Sequence, residues 1–117
     1  MSKYRNVKTV FQSIKFDSKA EARRFQELTL LQKAGEINNL KCQPSFILLD
    51  PFTHKQHGKI RGVTYRADFS YADKEGKDHV EDVKGGRFRV PLYLLKRKLF
   101  LFKYPDIIFD EISYAKK

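Results

Sequence analysis

The chain has 117 residues, 41% of them hydrophobic and 14% aromatic, enough for the packed core of one ordinary domain and too apolar for a disordered segment. Lys and Arg number 24 against 14 Asp and Glu, a formal charge of +10 that favours polyanions, nucleic acid above all, as partners. A single cysteine, Cys42, excludes a disulfide framework within the chain, no apolar run reaches the ~18 residues of a membrane span, and the start "MSKYRNVKTV" has no apolar stretch like that of a secretory leader. These features predict a soluble cytoplasmic protein, residues 1–117 as one domain, with no membrane partner.

Residues 7–16, "VKTVFQSIKF", carry two short β-prone runs around Gln12-Ser13, an N-terminal hairpin or arm within residues 1–16. In "DSKAEARRFQELTLLQKAG", Ser18 stands three residues before Glu21, a capping-box pattern, and Gly35 is a stop, so a helix runs from about Lys19 to Ala34. Ser45 to Leu49 is nearly continuous in apolar residues and reads as a central strand. Residues 51–61 form a polar loop with His54 and His57. "GVTYRADFSYA" reads as a second strand and "KDHVEDVKG" as a third, joined by the turn chemistry of "DKEGK". A basic glycine loop, "GGRFRV", leads to Pro91 at the first turn of a second helix, with Leu92, Leu95, Leu99 and Phe102 at three-four-three spacing. Pro105 ends that helix and "IIFDEIS" is the last strand. The order α-β-β-β-α-β describes an α/β fold with a mixed central sheet flanked by helices, the last strand able to return parallel to an earlier one.

The stretch "HVEDVKGG" sets two adjacent acids and a lysine in an otherwise strand-like run, where such residues are costly to bury. Side chains alternate along a strand, so Asp82 and Lys84 share one face and Glu81 and Val83 the other, with roughly 6.6 Å between alternate Cα atoms. A hairpin with Ala72 opposite Asp78 sets Asp68 opposite Asp82 and Arg66 opposite Lys84. Two carboxylates so opposed, with Cβ atoms about 5 Å apart, repel unless a cation lies between them. A slip of one residue would bring Asp68 to the Glu81 face instead. Glu21 lies at helical spacing with Phe25 and Leu28, which makes it either an inward-facing acid at a helix N-terminus or simply the partner of Ser18 in the capping box.

These residues carry a resemblance. A helix with Glu in "SKAEARRF", Asp before an apolar residue in "YRADFSY", and the Asp-x-Lys of "VEDVKGG" across a short hairpin resemble the PD-(D/E)XK nuclease superfamily, and nearly the whole chain, about residues 10 to 112, looks like a small phage-associated branch of it. Ala67 stands before Asp68 where the superfamily's name has Pro. The resemblance implies a restriction-endonuclease-like αβββαβ core and a Mg²⁺-dependent (or Mn²⁺-dependent) endodeoxyribonuclease. It implies Glu21, Asp68, Asp82 and Lys84 as catalytic residues, and Asp68, Asp82, the Val83 carbonyl and Glu21 as metal-binding groups. The hard oxygen donors suit those ions, and Lys84 would orient the attacking water.

The basic residues Arg66, Arg87, Arg89, Lys96, Arg97 and Lys98 fit a DNA path, although those on the second helix also read as a solvated face. His54 and His57 have no third ligand nearby in sequence. His79 falls on the Glu81 face as a packed or edge residue. Gln43, Tyr65 and Tyr71 read as structural. The function expected is hydrolysis of DNA phosphodiester bonds, probing structured or branched DNA in phage recombination or replication as a Holliday-junction-resolvase-like enzyme does, in the host cytosol and with a homodimer giving reach. The alternative is a catalytically inactive nucleic-acid-binding or regulatory module on the same fold.

Overall fold

The computed structural model of the chain describes residues 9–11, 14–16, 18–84 and 90–114. An antiparallel hairpin opens it, β1 (Thr9–Phe11) on β2 (Ile14–Phe16). Helix α1 (Lys19–Lys33) follows, with Ser18 as N-cap. The Ser18 hydroxyl accepts the Glu21 N–H at 3.1 Å, which satisfies one of the N–H groups a helix start leaves unpaired. Beyond the C-cap Ala34, Gly35 takes φ 81°, a left-handed turn that closes the helix without a Cβ clash.

The central sheet has four strands. Across it lie β10 (Ile108–Ser113), β9 (Asp78–Lys84), β8 (Phe69–Asp73) and β3 (Ile37–Cys42). Strand β8 runs antiparallel to both neighbours, and β10 returns parallel to β9 after helix α2 (Pro91–Lys103). The fold is therefore mixed α/β, and α1, β3, β8, β9, α2 and β10 follow one another as α-β-β-β-α-β. The β8–β9 hairpin has the expected register from Ala72 opposite Asp78 to Phe69 opposite Glu81, but the ladder ends there: the expected pairs Asp68–Asp82 and Arg66–Lys84 are not part of it, and Arg66 stands opposite Ser45 instead.

Three sequence expectations are corrected. The first strand of the central sheet is Ile37–Cys42, not Ser45–Leu49. The latter is β4 (Ser45–Leu49), which pairs with β7 (Val63–Arg66) outside that sheet. Its apolar run serves one face: Phe46 and Leu48 pack inward while Ile47 and Leu49 stay exposed. In β3 the strand signal is blurred by two asparagines, a register shift between Asn38 and Lys41, and Asn39 at φ 60°. The single strand read over residues 62–72 is two strands, β7 and β8, broken at Ala67-Asp68. The loop read over residues 51–61 holds a small hairpin, β5 (Phe52–His54) on β6 (Gly58–Ile60). There His54 Nδ1 accepts the N–H groups of Gln56 and His57 at 3.0 and 3.1 Å, a turn-closing role rather than a ligand's.

The two helices cover opposite sides of the sheet, as the alternation of β9 shows. Val83 packs with Phe16, Ala22, Phe25, Leu28 and Phe69 beneath α1. Val80 points the other way, to Phe100 of α2 with Tyr65 and Ala67. Phe100 meets Phe46 edge-on at 5.1 Å between ring centroids, a favoured aromatic geometry. The buried residue of α2 is Phe100, and the Leu92, Leu95, Leu99 and Phe102 stripe lies on the exposed side of that helix. No described helix is long and apolar enough to cross a membrane.

Candidate active site

The break between β7 and β8 builds the site. There the chain leaves its β4 partner and enters the central sheet, and its backbone is held from both sides. Ala67 N–H donates to the Pro44 carbonyl at 3.0 Å, Asp68 N–H to the Glu81 carbonyl at 3.0 Å, and Gln43 N–H to the Asp68 carbonyl at 2.8 Å. Gln43 makes this bond at φ 55°, a left-handed conformation that costs a non-glycine residue about 1 kcal/mol or more. With its main chain pinned, Asp68 sets Oδ2 on the Val83 N–H at 2.6 Å.

Asp82 lies beside it on β9. Its Oδ1 is 2.9 Å from Lys84 Nζ, its same-face neighbour two residues on, and its Oδ2 accepts the Tyr65 hydroxyl. Glu21 from the first turn of α1, Arg66 from the end of β7 and Lys96 from α2 join Asp68, Asp82, Val83 and Lys84 around one cleft of about 470 Å³. Glu21 donates its backbone N–H to the Ser18 cap and also lines the cleft.

Glu81 is turned away from this cleft. It is 1% exposed and clasped by Arg24 of α1, Nε to Oε1 at 2.7 Å and Nη2 to Oε2 at 2.6 Å. The Tyr71 hydroxyl donates to the same carboxylate at 2.6 Å. Hydrogen bonding to Glu81 holds the Arg24 guanidinium well above its ordinary pKa, against the cost of burial. The register therefore puts Asp82, not Glu81, beside Asp68. His79 shares the Glu81 face as expected, stacked on Tyr71 at 4.9 Å with Nε2 2.8 Å from Asp73 Oδ2.

Burial pushes the Asp68 carboxyl up to about 7; the Val83 N–H pulls it down, Glu21 and Asp82 push it further up, and Lys84 draws it back. The Tyr65 hydroxyl is raised far above its usual value by burial and by its bond to Asp82. Lys84 Nζ lies 3.2 Å from the centroid of the Tyr93 ring, a cation–π contact that helps to hold the ammonium. Tyr93 donates to Glu111 Oε2 at 2.5 Å, and Arg97 Nη1 binds the same oxygen at 2.8 Å.

From the sequence Tyr65 read only as a structural strand residue, and Tyr93 was not singled out. The available signal was general: a tyrosine carried into a core brings a hydroxyl that needs an acceptor, and a buried acid is the acceptor of choice. Of the basic residues expected along a DNA path, Arg66 and Lys96 line the cleft. Arg97 is engaged by Glu111, and Lys98 is exposed on α2. Arg87 and Arg89 lie outside the described residues, as does the glycine pair before them.

Two carboxylates, a strand-end carbonyl at Val83 and Glu21 are hard oxygen donors of the kind Mg²⁺ and Mn²⁺ take. The Asp68 carboxyl is raised first by burial and only then by Glu21 and Asp82, and a divalent cation beside it would favour its charged form. Among the described residues no group of three or more His, Cys, Asp and Glu side chains forms a ready ligand cluster. Mg²⁺ needs no such cluster, because it keeps several waters and binds through one or two carboxylates. The residues present fit such an ion.

Fold and cleft together define a basic, mixed α/β protein with a paired-acid and lysine centre at a strand break. The whole chain, residues 1–117, matches the family described as a protein of unknown function (DUF1064), and it belongs to that family. No curated protein and no solved structure matches it.

Proposed function

We propose that the cleft is the centre of a metal-dependent nuclease that hydrolyses DNA phosphodiester bonds, an endonuclease acting on structured or branched DNA. One observation carries the reading: Asp68, Asp82 and Lys84 meet in one basic-rimmed cleft while the neighbouring acid Glu81 is engaged on the other face. The α-β-β-β-α-β order of the core and the resemblance to PD-(D/E)XK nucleases support it. Asp68 and Asp82, with the Val83 carbonyl and Glu21, would hold Mg²⁺ or Mn²⁺. When bound, the ion supplies a Lewis acid and a water of lowered pKa. Lys84 then presents its ammonium to the attacking oxygen or the developing phosphorane charge, with Tyr93 limiting its swing. Tyr65 orients the Asp82 carboxylate, and Arg66 and Lys96 hold backbone phosphates at the rim. A phage enzyme of this class acts in the cytosol of its host.

The test is nicking of plasmid and of four-way-junction DNA with Mg²⁺, with Mn²⁺ and with EDTA. Metal-dependent cutting that Asp82→Asn and Lys84→Ala abolish is the expected result. The second reading, an inactive DNA-binding module, is favoured by one feature: both Asp82 oxygens are already satisfied by Tyr65 and Lys84 without any metal. DNA binding with no cutting under either ion, and no calorimetric uptake of Mn²⁺, would select that module.

A further inference from the structure

Helix α2 is apolar on the wrong side for a lone molecule. It buries Phe100 against the sheet, yet Leu92 is 60% exposed, Leu95 52% and Phe102 85%, with Leu99 exposed between them. These four residues recur at three-four-three spacing, the a/d positions of a helix that packs on another helix, and Leu94 and Leu101, also exposed, widen the apolar surface beside them. Their open surface is on the order of 500 Å², within the size of the largest patch a monomer carries and more than half of the ~800 Å² each partner gives to a standard interface.

We infer that this stripe is the seam of a homodimer, α2 packed antiparallel on α2 of a second copy. The spacing itself argues for self-pairing. Three-four-three reads the same from either end, so a two-fold axis between Leu95 and Leu99 sets Leu95 of one copy against Leu99 of the other and Leu92 against Phe102. An isologous interface requires this self-complementarity, and two-fold dimers are the commonest assembly. Flanking charge allows the pairing without driving it. Lys96 lines the cleft, and Lys98 and Lys103 are exposed cations on α2 near the seam. Leu92 belongs to the cleft wall as well as to the seam, so the two clefts of the dimer open next to the helix pair. The inference stands apart from the nuclease reading, because the assembly is weighed without any DNA.

Sedimentation equilibrium on the full chain, freed of nucleic acid by high salt, tests it over about 1–100 μM. The expected mass rises to twice the 13.8 kDa of the chain. Leu95→Glu and Leu99→Glu each weaken the dimer by at least about thirtyfold, as loss of a central anchor does. Both positions are exposed in the single molecule, so the helical circular dichroism of the variants is unchanged. Leu94→Glu, on the same helix but off the seam, keeps the dimer. A mass of 13.8 kDa throughout overturns the proposal. So does a dimer that the seam variants leave intact, one that Leu94→Glu dissociates equally, or a monomer that instead takes up an acidic amphipathic helix peptide.

Discussion

At the residue scale, the cleft depends on how each of its acids is held. A hydroxyl and an ammonium hold the two oxygens of Asp82. Tyr65→Phe removes the first of these without changing the core volume much. Supporting hydrogen bonds of this kind are worth about 10–100-fold in metal affinity or activity, so cleavage by Tyr65→Phe is expected to fall by that factor while its melting curve moves little. The Asp68 carboxyl is raised, chiefly by burial. In the folded chain it lies at about 7, above the ordinary 3.8. The folded chain therefore binds more protons than the unfolded one between those values. The contribution of Asp68 to folding is fullest below about pH 4 and is lost as pH rises through about 7. In EDTA, Asp68→Asn should therefore gain in Tm relative to the native chain as pH rises from about 4 to about 8. A difference that stays flat over that range would mean that Asp68 ionises as it does in the unfolded chain.

At the element scale, α1 is tied to the sheet by one buried ion pair. Glu81 is fully enclosed and receives Arg24 and Tyr71 from two different elements. Removing one member of such a pair strands a buried charge, at a cost of about 3–5 kcal/mol. Glu81→Ala is expected to lose that much in urea unfolding, whereas Ser18→Ala, the cap of the same helix, loses about 0.5–2 kcal/mol. Cleavage per folded molecule should survive Glu81→Gln, because the side chain faces away from the cleft. Loss of cutting in that variant alone, with folding intact, would put the wrong acid at the site. Alternation along β9 made this division visible in the sequence, since four consecutive residues assign themselves to two faces once a strand is assumed. The β8–β9 register was equally legible from the turn residues of "DKEGK". The break at Ala67-Asp68 was not. Nothing local separates Val63–Arg66 from Phe69–Asp73; the division comes from Pro44 and Gln43, more than twenty residues away, whose backbone competes for the same strand. Residues 45–49 misled for a related reason, since a continuous apolar run is the same whether both faces are covered or one is left open.

At the scale of the whole molecule, a charge of +10 gathers cations, and the fold sorts them. Arg66 and Lys96 rim the cleft, while Arg97 is held by Glu111. DNA affinity should fall with salt, and the log–log slope should shrink by about 1 for each phosphate contact removed. Fluorescence anisotropy in EDTA is expected to show that reduction for Arg66→Ala and for Lys96→Ala. Arg97→Ala should leave the slope nearly unchanged. Equal slopes for all three would remove the cleft rim from the DNA path. Composition reached only the polyanion, because net charge is a sum and carries no positions.

Sequence alone determined the helix ends, the β8–β9 hairpin with its register, the separation of Asp82 from Glu81, and the mixed α/β class. Each of these rests on contacts between residues near in the chain or on the two-residue period of a strand. Tertiary structure decided which strand begins the sheet, that Tyr65 and Tyr93 secure Asp82 and Lys84, that Arg97 is taken by Glu111, and that the leucines of α2 face outward. A three-four-three stripe states that a helix has an apolar side. Only the packing of Phe100 against Phe46 and Tyr65 says which side the sheet already occupies, because the pairing of distant surfaces depends on shapes that no local period records.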